Sequence, residues 1–208
     1  MKCRTPETRV KIVEDYSIKP IGKFKVLGKS VTSCTNDPIT DYYYQFQYIH
    51  KNNKKHEGIM TCGNHAANHF MELIGIENIP TFDPLINDRA TIIEGHEGTT
   101  SLSNNVKWDP VAKELYHAIN IILLSWKTDS SGAMQEILIK IANDPSKRPL
   151  NANVKAVNTV ISRDTKKKSL PDMVADLKVR HSSFKSYSFH ELHKILTDQY
   201  QEVESNYK

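Results

Sequence analysis

Between Ser33 and Phe70 the chain gathers two of its three cysteines and four of its nine histidines. Thiolates and imidazoles are the groups that hold zinc most readily, usually as a tetrahedron of four, with a carboxylate as an occasional member. Their spacing here is regular. Cys34-Thr35-Asn36-Asp37 and Cys62-Gly63-Asn64-His65 each place two residues between a pair of candidate ligands. That interval lets one tight turn aim two side chains at a common point. Cys34, Asp37, Cys62 and His65 are therefore the first candidate metal ligands. His69, one helical turn beyond His65, is the substitute for the fourth position. The same residues also fit a packed, metal-free arrangement, with cysteine serving as a small buried hydrophobe. Cys3 lies far from both pairs and near a terminus expected to be poorly ordered, so it reads as incidental.

The elements that must position these groups follow from periodicity. Tyr42, Tyr44, Phe46 and Tyr48 alternate with Tyr43, Gln45, Gln47 and Ile49, the strand period carried by β-favouring aromatics. The polar run His50-Lys51-Asn52-Asn53-Lys54-Lys55-His56 reads as a turn, and Gly58 to Cys62 as a returning strand. A β-hairpin over 41–62 is predicted, with Lys51, Lys54 and Lys55 at its tip. After Gly63 the period changes to that of a helix, with Ala66, Ala67, Phe70, Met71 and Ile74 on one face and Gly75 at its end. Knuckle, hairpin, then a second pair opening a helix resembles a treble-clef zinc finger over residues 33–74. The resemblance implies a structural zinc held by the four positions Cys34, Asp37, Cys62 and His65, clamping the hairpin to the helix.

A second chemistry uses similar parts. The ββα-metal nucleases, the HNH group among them, also place histidine and asparagine around a cation at a hairpin-helix junction, with histidine as base. Asn64, His65, Asn68, His69 and His50 are the counterparts here. The leading motif of that group, a histidine beside an acid or a second histidine at the start of the hairpin, has no match. His50 is followed by Lys51 and Asn52 and reads as a turn residue. Gly95 to Ser101 lacks the lysine and spacing of a phosphate-binding loop. His96, between Glu94 and Glu97, reads as part of a polar loop.

The remainder of the chain bounds the setting. It has 208 residues, 38% of them hydrophobic, a formal net charge of +4 and a pI near 8.8. No apolar run approaches the roughly 20 residues needed to span a bilayer. The opening segment has no apolar stretch of the kind a secretory leader carries, and a cytoplasmic location is expected. Three cysteines make a disulfide framework unexpected, leaving free thiols or metal ligands. Two parts are expected, 1–106 and 107–208. The first reads as strands and loops, with Arg9 to Val13 and Phe24 to Val31 as further short strands. The second reads as about five helices. Asp109-Pro110 opens the first, Ser130 or Ser131 the second, and Asn151 begins the third. Ser169 with Asp172 and Ser188 with Glu191 have the capping-box spacing for the last two. The tail from Gln201 reads as frayed.

The predicted class is α+β: short strands with a hairpin-helix module, then a helical bundle. The predicted function is non-enzymatic binding, with a nucleic acid as the leading partner and another protein next. Lys51, Lys54 and Lys55 on the hairpin, and Lys166, Lys167 and Lys168 on a helix-connecting loop, are the candidate phosphate contacts. A metal-dependent nuclease and a small adaptor or inhibitor of another protein are the alternatives.

Overall fold

The computed structural model describes residues 2–28, 30–86 and 107–208. The fold is α+β, with seven helices and two sheets among these residues. Two compact units divide the chain: Met1–Asp83 with Leu138–Asp144, and Pro84–Ile137 with Pro145–Lys208. The residues expected to form the polar loop around His96 lie outside the described set.

The first unit begins with a helix where strand was expected. Thr5 accepts a hydrogen bond from the Thr8 amide at 3.3 Å, and Pro6 occupies the first turn of α1 (Pro6–Asp15). This cap-and-proline start overrides the alternating look of Arg9 to Val13. Arg9 and Ile12, three residues apart, become its buried side chains, while Val10 is exposed. The chain continues as β1 (Tyr16–Lys25), β2 (Val31–Thr32), β3 (Pro38–Ile39), β4 (Tyr42–His50) and β5 (Glu57–Cys62). Then come α2 (Asn64–Leu73) and a short β6 (Thr81–Phe82). The main sheet runs β5-β4-β1-β6, antiparallel except for the β1/β6 pair. Pro20 is tolerated inside β1 because the register shifts between Pro20 and Gly22, which relieves the ladder bond proline cannot donate.

The hairpin predicted over 41–62 is present as β4 and β5, with Tyr44 opposite Cys62 and Ile49 opposite Glu57. Alternation along β4 places Tyr44 and Phe46 in the core, where they meet Ile12, Ile18, Met60, Cys62, Ala67 and Phe70. The aromatic run is thus largely packing. Gly75, at φ +69, takes the left-handed turn that ends α2.

The second unit contains α3 (Pro110–Trp126), α5 (Asn151–Ile161), α6 (Leu170–Arg180) and α7 (His190–Gln199). α4 (Gly132–Asn143) divides between the two units at Leu138. Asp109 caps α3 through the Ala112 amide, and Ser169 with Asp172 forms the capping box on α6. Of the two serines offered for α4, Ser130 is buried with its hydroxyl unpartnered, while Ser131 directly precedes the helix and its carbonyl accepts the Gln135 amide at 3.5 Å. One cap differs from the expected one. Ser188 does not cap α7; the Glu114 carboxylate of α3 receives the Leu192 amide instead, at 3.2 Å. A carboxylate from a neighbouring helix does there what a local serine was expected to do.

The C-terminal tail, expected to fray, is docked. Tyr207 is 3% exposed and donates its hydroxyl to the Val154 carbonyl at 2.8 Å. Asn158, also buried, receives the Asn206 amide at 2.8 Å and donates to the Glu204 carbonyl at 2.8 Å. Ser205 meets His193 at 2.9 Å. Because Tyr207 fills a buried site, Tyr207→Ala is expected to cost about 3–5 kcal/mol in urea unfolding, and Tyr207→Phe only about 1 kcal/mol.

His117 of α3 sits against Tyr187, with ring centres 5.1 Å apart. Burial, aided by the charges of Lys113 and Lys185, pushes its pKa down from 6.5 to about 4. A histidine of lowered pKa stays neutral in the folded chain while the unfolded chain takes up the proton. Its contribution is therefore complete above the unfolded value and is lost as pH falls toward the folded one. Stability should fall by up to about 3 kcal/mol more in the wild type than in His117→Phe between neutral pH and the folded pKa, read by urea denaturation across that range.

Candidate functional site

Two constellations stand out, one in each unit. In the first, the Sγ atoms of Cys3, Cys34 and Cys62 all lie within 4.8 Å of one another. Cys3 and Cys34 are joined as a disulfide, and Cys62 is a free, buried thiol 3.9 Å from Cys34. Each arrives by a different route. Cys62 ends β5. Cys34 is drawn beside that strand by its amide, which donates to the Thr61 carbonyl at 2.8 Å. Cys3 is anchored by its carbonyl, which accepts from Arg9 Nη1 at 3.0 Å. The residue expected to be incidental is thus fully buried and bonded to one of the candidate ligands. The expectation that all three cysteines are free thiols or ligands is corrected for this pair.

Arg9 organises the surroundings. It is 2% exposed, and its guanidinium also donates to the Arg4 carbonyl at 2.9 Å and to His69 Nδ1 at 2.8 Å. Accepting at Nδ1 puts the proton of a neutral His69 on Nε2, so neither ring nitrogen then offers a free lone pair. Burial pushes the Cys62 thiol up to about 12, and the Arg9 charge works against that rise. Cys62 is therefore a protonated, shielded thiol at neutral pH.

The remaining predicted ligands lie elsewhere. Asp37 is exposed, where its carboxylate accepts from the Thr35 hydroxyl and from Arg4 at 3.1 Å. The Thr35 hydrogen bond, then Arg4, holds its pKa below the usual carboxylate range. It closes the Ser33–Asp37 turn, in which Asn36 takes φ +63. His65 is exposed in the first turn of α2. The structure thus gathers Cys34 and Cys62, adds Cys3, and leaves Asp37, His65 and His69 outside the sulfur cluster. Asn64, at the head of α2, accepts from the Tyr44 hydroxyl at 3.0 Å. His50 receives the Asn52 and Asn53 amides at Nδ1, both at 3.1 Å, and so shapes the hairpin turn.

The candidate phosphate contacts divide. Lys51 Nζ donates to the Val13 and Glu14 carbonyls at 2.9 and 2.7 Å, so it closes the C-terminal end of α1. Lys54 and Lys55 are exposed at the hairpin tip. Lys166 and Lys168 line a cleft of about 370 Å³ in the second unit, together with Trp126, Arg163, Asp164, Asp176 and Arg180. Lys167 is exposed and takes φ +54 in the same turn.

Asp164 builds this cleft. It is buried, accepts from Trp126 Nε1 at 2.8 Å, and receives the Lys166 and Lys168 amides at 3.0 Å each. One carboxylate thereby fixes the turn that carries the basic residues and ties it to α3. Lys168 pairs with Asp176, whose pKa is lowered mainly by that hydrogen bond. Arg163, Lys166 and Arg180 complete the basic rim. Sequence reasoning found the lysines but missed Trp126, Asp164 and Arg180. The available signal was an aspartate, a turn-forming residue, standing two positions before three consecutive lysines.

The chain belongs to the family described as uncharacterised conserved protein UCP028583, whose profile spans residues 2–207. No curated protein and no solved structure matches it.

Removing the Asp164 carboxylate strands the Trp126 N–H and loosens the turn. Asp164→Ala is expected to lower stability by about 1–3 kcal/mol and to speed tryptic cleavage between Arg163 and Lys168, measured by urea denaturation and timed proteolysis.

Proposed function

We propose that this protein is a non-enzymatic binding protein that takes a single-stranded nucleic acid into the cleft of its C-terminal unit. The observation that supports this reading is the cleft itself: Arg163, Lys166, Lys168 and Arg180 converge around a half-buried tryptophan in about 370 Å³. Of the two acids present, Asp164 is occupied by the tryptophan N–H and two amides, and Asp176 by Lys168. The local balance therefore favours an anion. Arginine suits a phosphate because its planar fork donates two parallel hydrogen bonds. A tryptophan face beside such cations provides a surface on which a base can stack without regard to its identity. Contacts of this kind confer affinity more than sequence preference.

Binding is read by fluorescence anisotropy with labelled single-stranded DNA and RNA and with a duplex control, across a salt series. Roughly three phosphate contacts predict a slope of about −2 in log affinity against log salt for a single strand. Arg163→Ala/Lys166→Ala/Arg180→Ala should weaken binding on the order of 100-fold at low salt and flatten that slope. All three positions are exposed, so the fold should survive. Undiminished binding by the triple variant, or no binding by the wild type at low salt, would overturn the reading.

A further inference from the structure

We propose that Cys3, Cys34 and Cys62, when reduced, form a three-thiolate site for a soft divalent cation of the zinc kind, and that metal occupancy and the Cys3–Cys34 disulfide exclude one another. The inference stands on the N-terminal unit alone and is independent of the cleft.

The geometry comes first. Sulfurs sharing one tetrahedral zinc at about 2.3 Å sit roughly 3.8 Å apart. Cys34 and Cys62 are 3.9 Å apart, and all three sulfurs fall within 4.8 Å of one another. Each cysteine is held by its backbone: Cys34 to Thr61, Cys3 to Arg9, and Cys62 within the β4/β5 ladder. Reduction therefore need not scatter the trio. It separates one pair of sulfurs, and the cation takes the place of the bond.

Charge closes the case. Three thiolates around a divalent cation carry a net charge of −1, too costly to bury alone. Arg9, 2% exposed and bonded to the Cys3 carbonyl at 3.0 Å, supplies the balancing +1. The start of α2 directly after Cys62 adds amide dipoles of the same sign. Three sulfurs leave the fourth position of the tetrahedron to a ligand from outside the trio.

The chemistry balances. A dithiol or phosphine reductant delivers two electrons, and two protons follow, converting the Cys3–Cys34 bond to two thiols. The cation then displaces the three thiol protons. A two-electron oxidant of the disulfide or peroxide class takes the electrons released as the Cys3–Cys34 bond re-forms, which withdraws two of the three thiolates and expels the metal.

The test uses the full chain, stripped of metal and kept in a phosphine reductant. It is titrated with Zn²⁺ against a chromophoric chelator, and with Co²⁺ to read sulfur-to-metal charge transfer. One equivalent per chain is expected, with Cys3→Ser and Cys62→Ser each weakening it on the order of 100-fold or more. Asp37→Asn, which touches only the Arg4 ion pair and the Thr35 hydroxyl, should leave affinity unchanged. The oxidised chain, lighter by the two thiol hydrogens, should not bind. Should a serine variant fail to fold, alkylation of the wild type decides: Zn²⁺ must shield Cys3 along with Cys34 and Cys62. Absence of stoichiometric binding, equal binding by the oxidised chain, or a Cys3 alkylated as fast with metal as without would overturn the proposal.

Discussion

A buried guanidinium is the constraint on which the N-terminal unit turns. A buried guanidinium must be given hydrogen-bond acceptors. The adjacent Cys3 and Arg4 carbonyls and His69 Nδ1 meet that need, so the acceptors come from two distant parts of the chain. The terminal segment is therefore folded back, α2 is oriented against α1, and the His69 tautomer is chosen. The cysteine cluster inherits its shape from the same residue. Cys3 reaches Cys34 because Arg9 holds its carbonyl, and Cys62 lies within the field of that cation.

The C-terminal unit applies the same economy with the opposite charge. Asp164 is buried and gathers one indole and two amides, which turns a polar connection into a defined wall. Asn158 does likewise for the tail, binding Asn206 and the Glu204 carbonyl. In each case one buried polar side chain satisfies backbone groups that would otherwise need water. The cost of leaving such groups unpaired gives these contacts their specificity, more than any favourable energy of the bonds themselves.

The division of chemistry follows from these two anchors. The three cysteine sulfurs lie in the packed core of the N-terminal unit, where burial disfavours the thiolate. The cations of the cleft sit on an exposed rim where their hydration is retained. Buried sulfur and exposed cations have opposing requirements for water, and each unit meets one of them. The hairpin lysines belong to neither: Lys51 is spent on the end of α1, which shows how readily a basic run in sequence becomes scaffolding.

Much of the architecture was legible in order along the chain. Alternating aromatics specified the hairpin, the change to a helical period specified α2, and Asp109-Pro110 and Ser169 with Asp172 marked helix starts that the structure retains. Signals of this kind act over a few residues, and local backbone geometry is enough to express them. Where a local pattern was ambiguous, neighbouring residues decided: the cap at Thr5 made a helix of an alternating segment. The sites were only half legible. Cys34 and Cys62 announced themselves by spacing, but Cys3 is separated from Cys34 by 31 positions and nothing near it hints at that partner. Trp126 and Asp164 lie 38 apart, and Glu114 caps a helix that begins far along the chain. The sequence by itself determined which elements form and which chemistries were on offer. Tertiary structure alone decided which of those side chains meet, because buried charges and unpaired backbone groups are satisfied by whatever the packed chain brings within reach, regardless of distance along it.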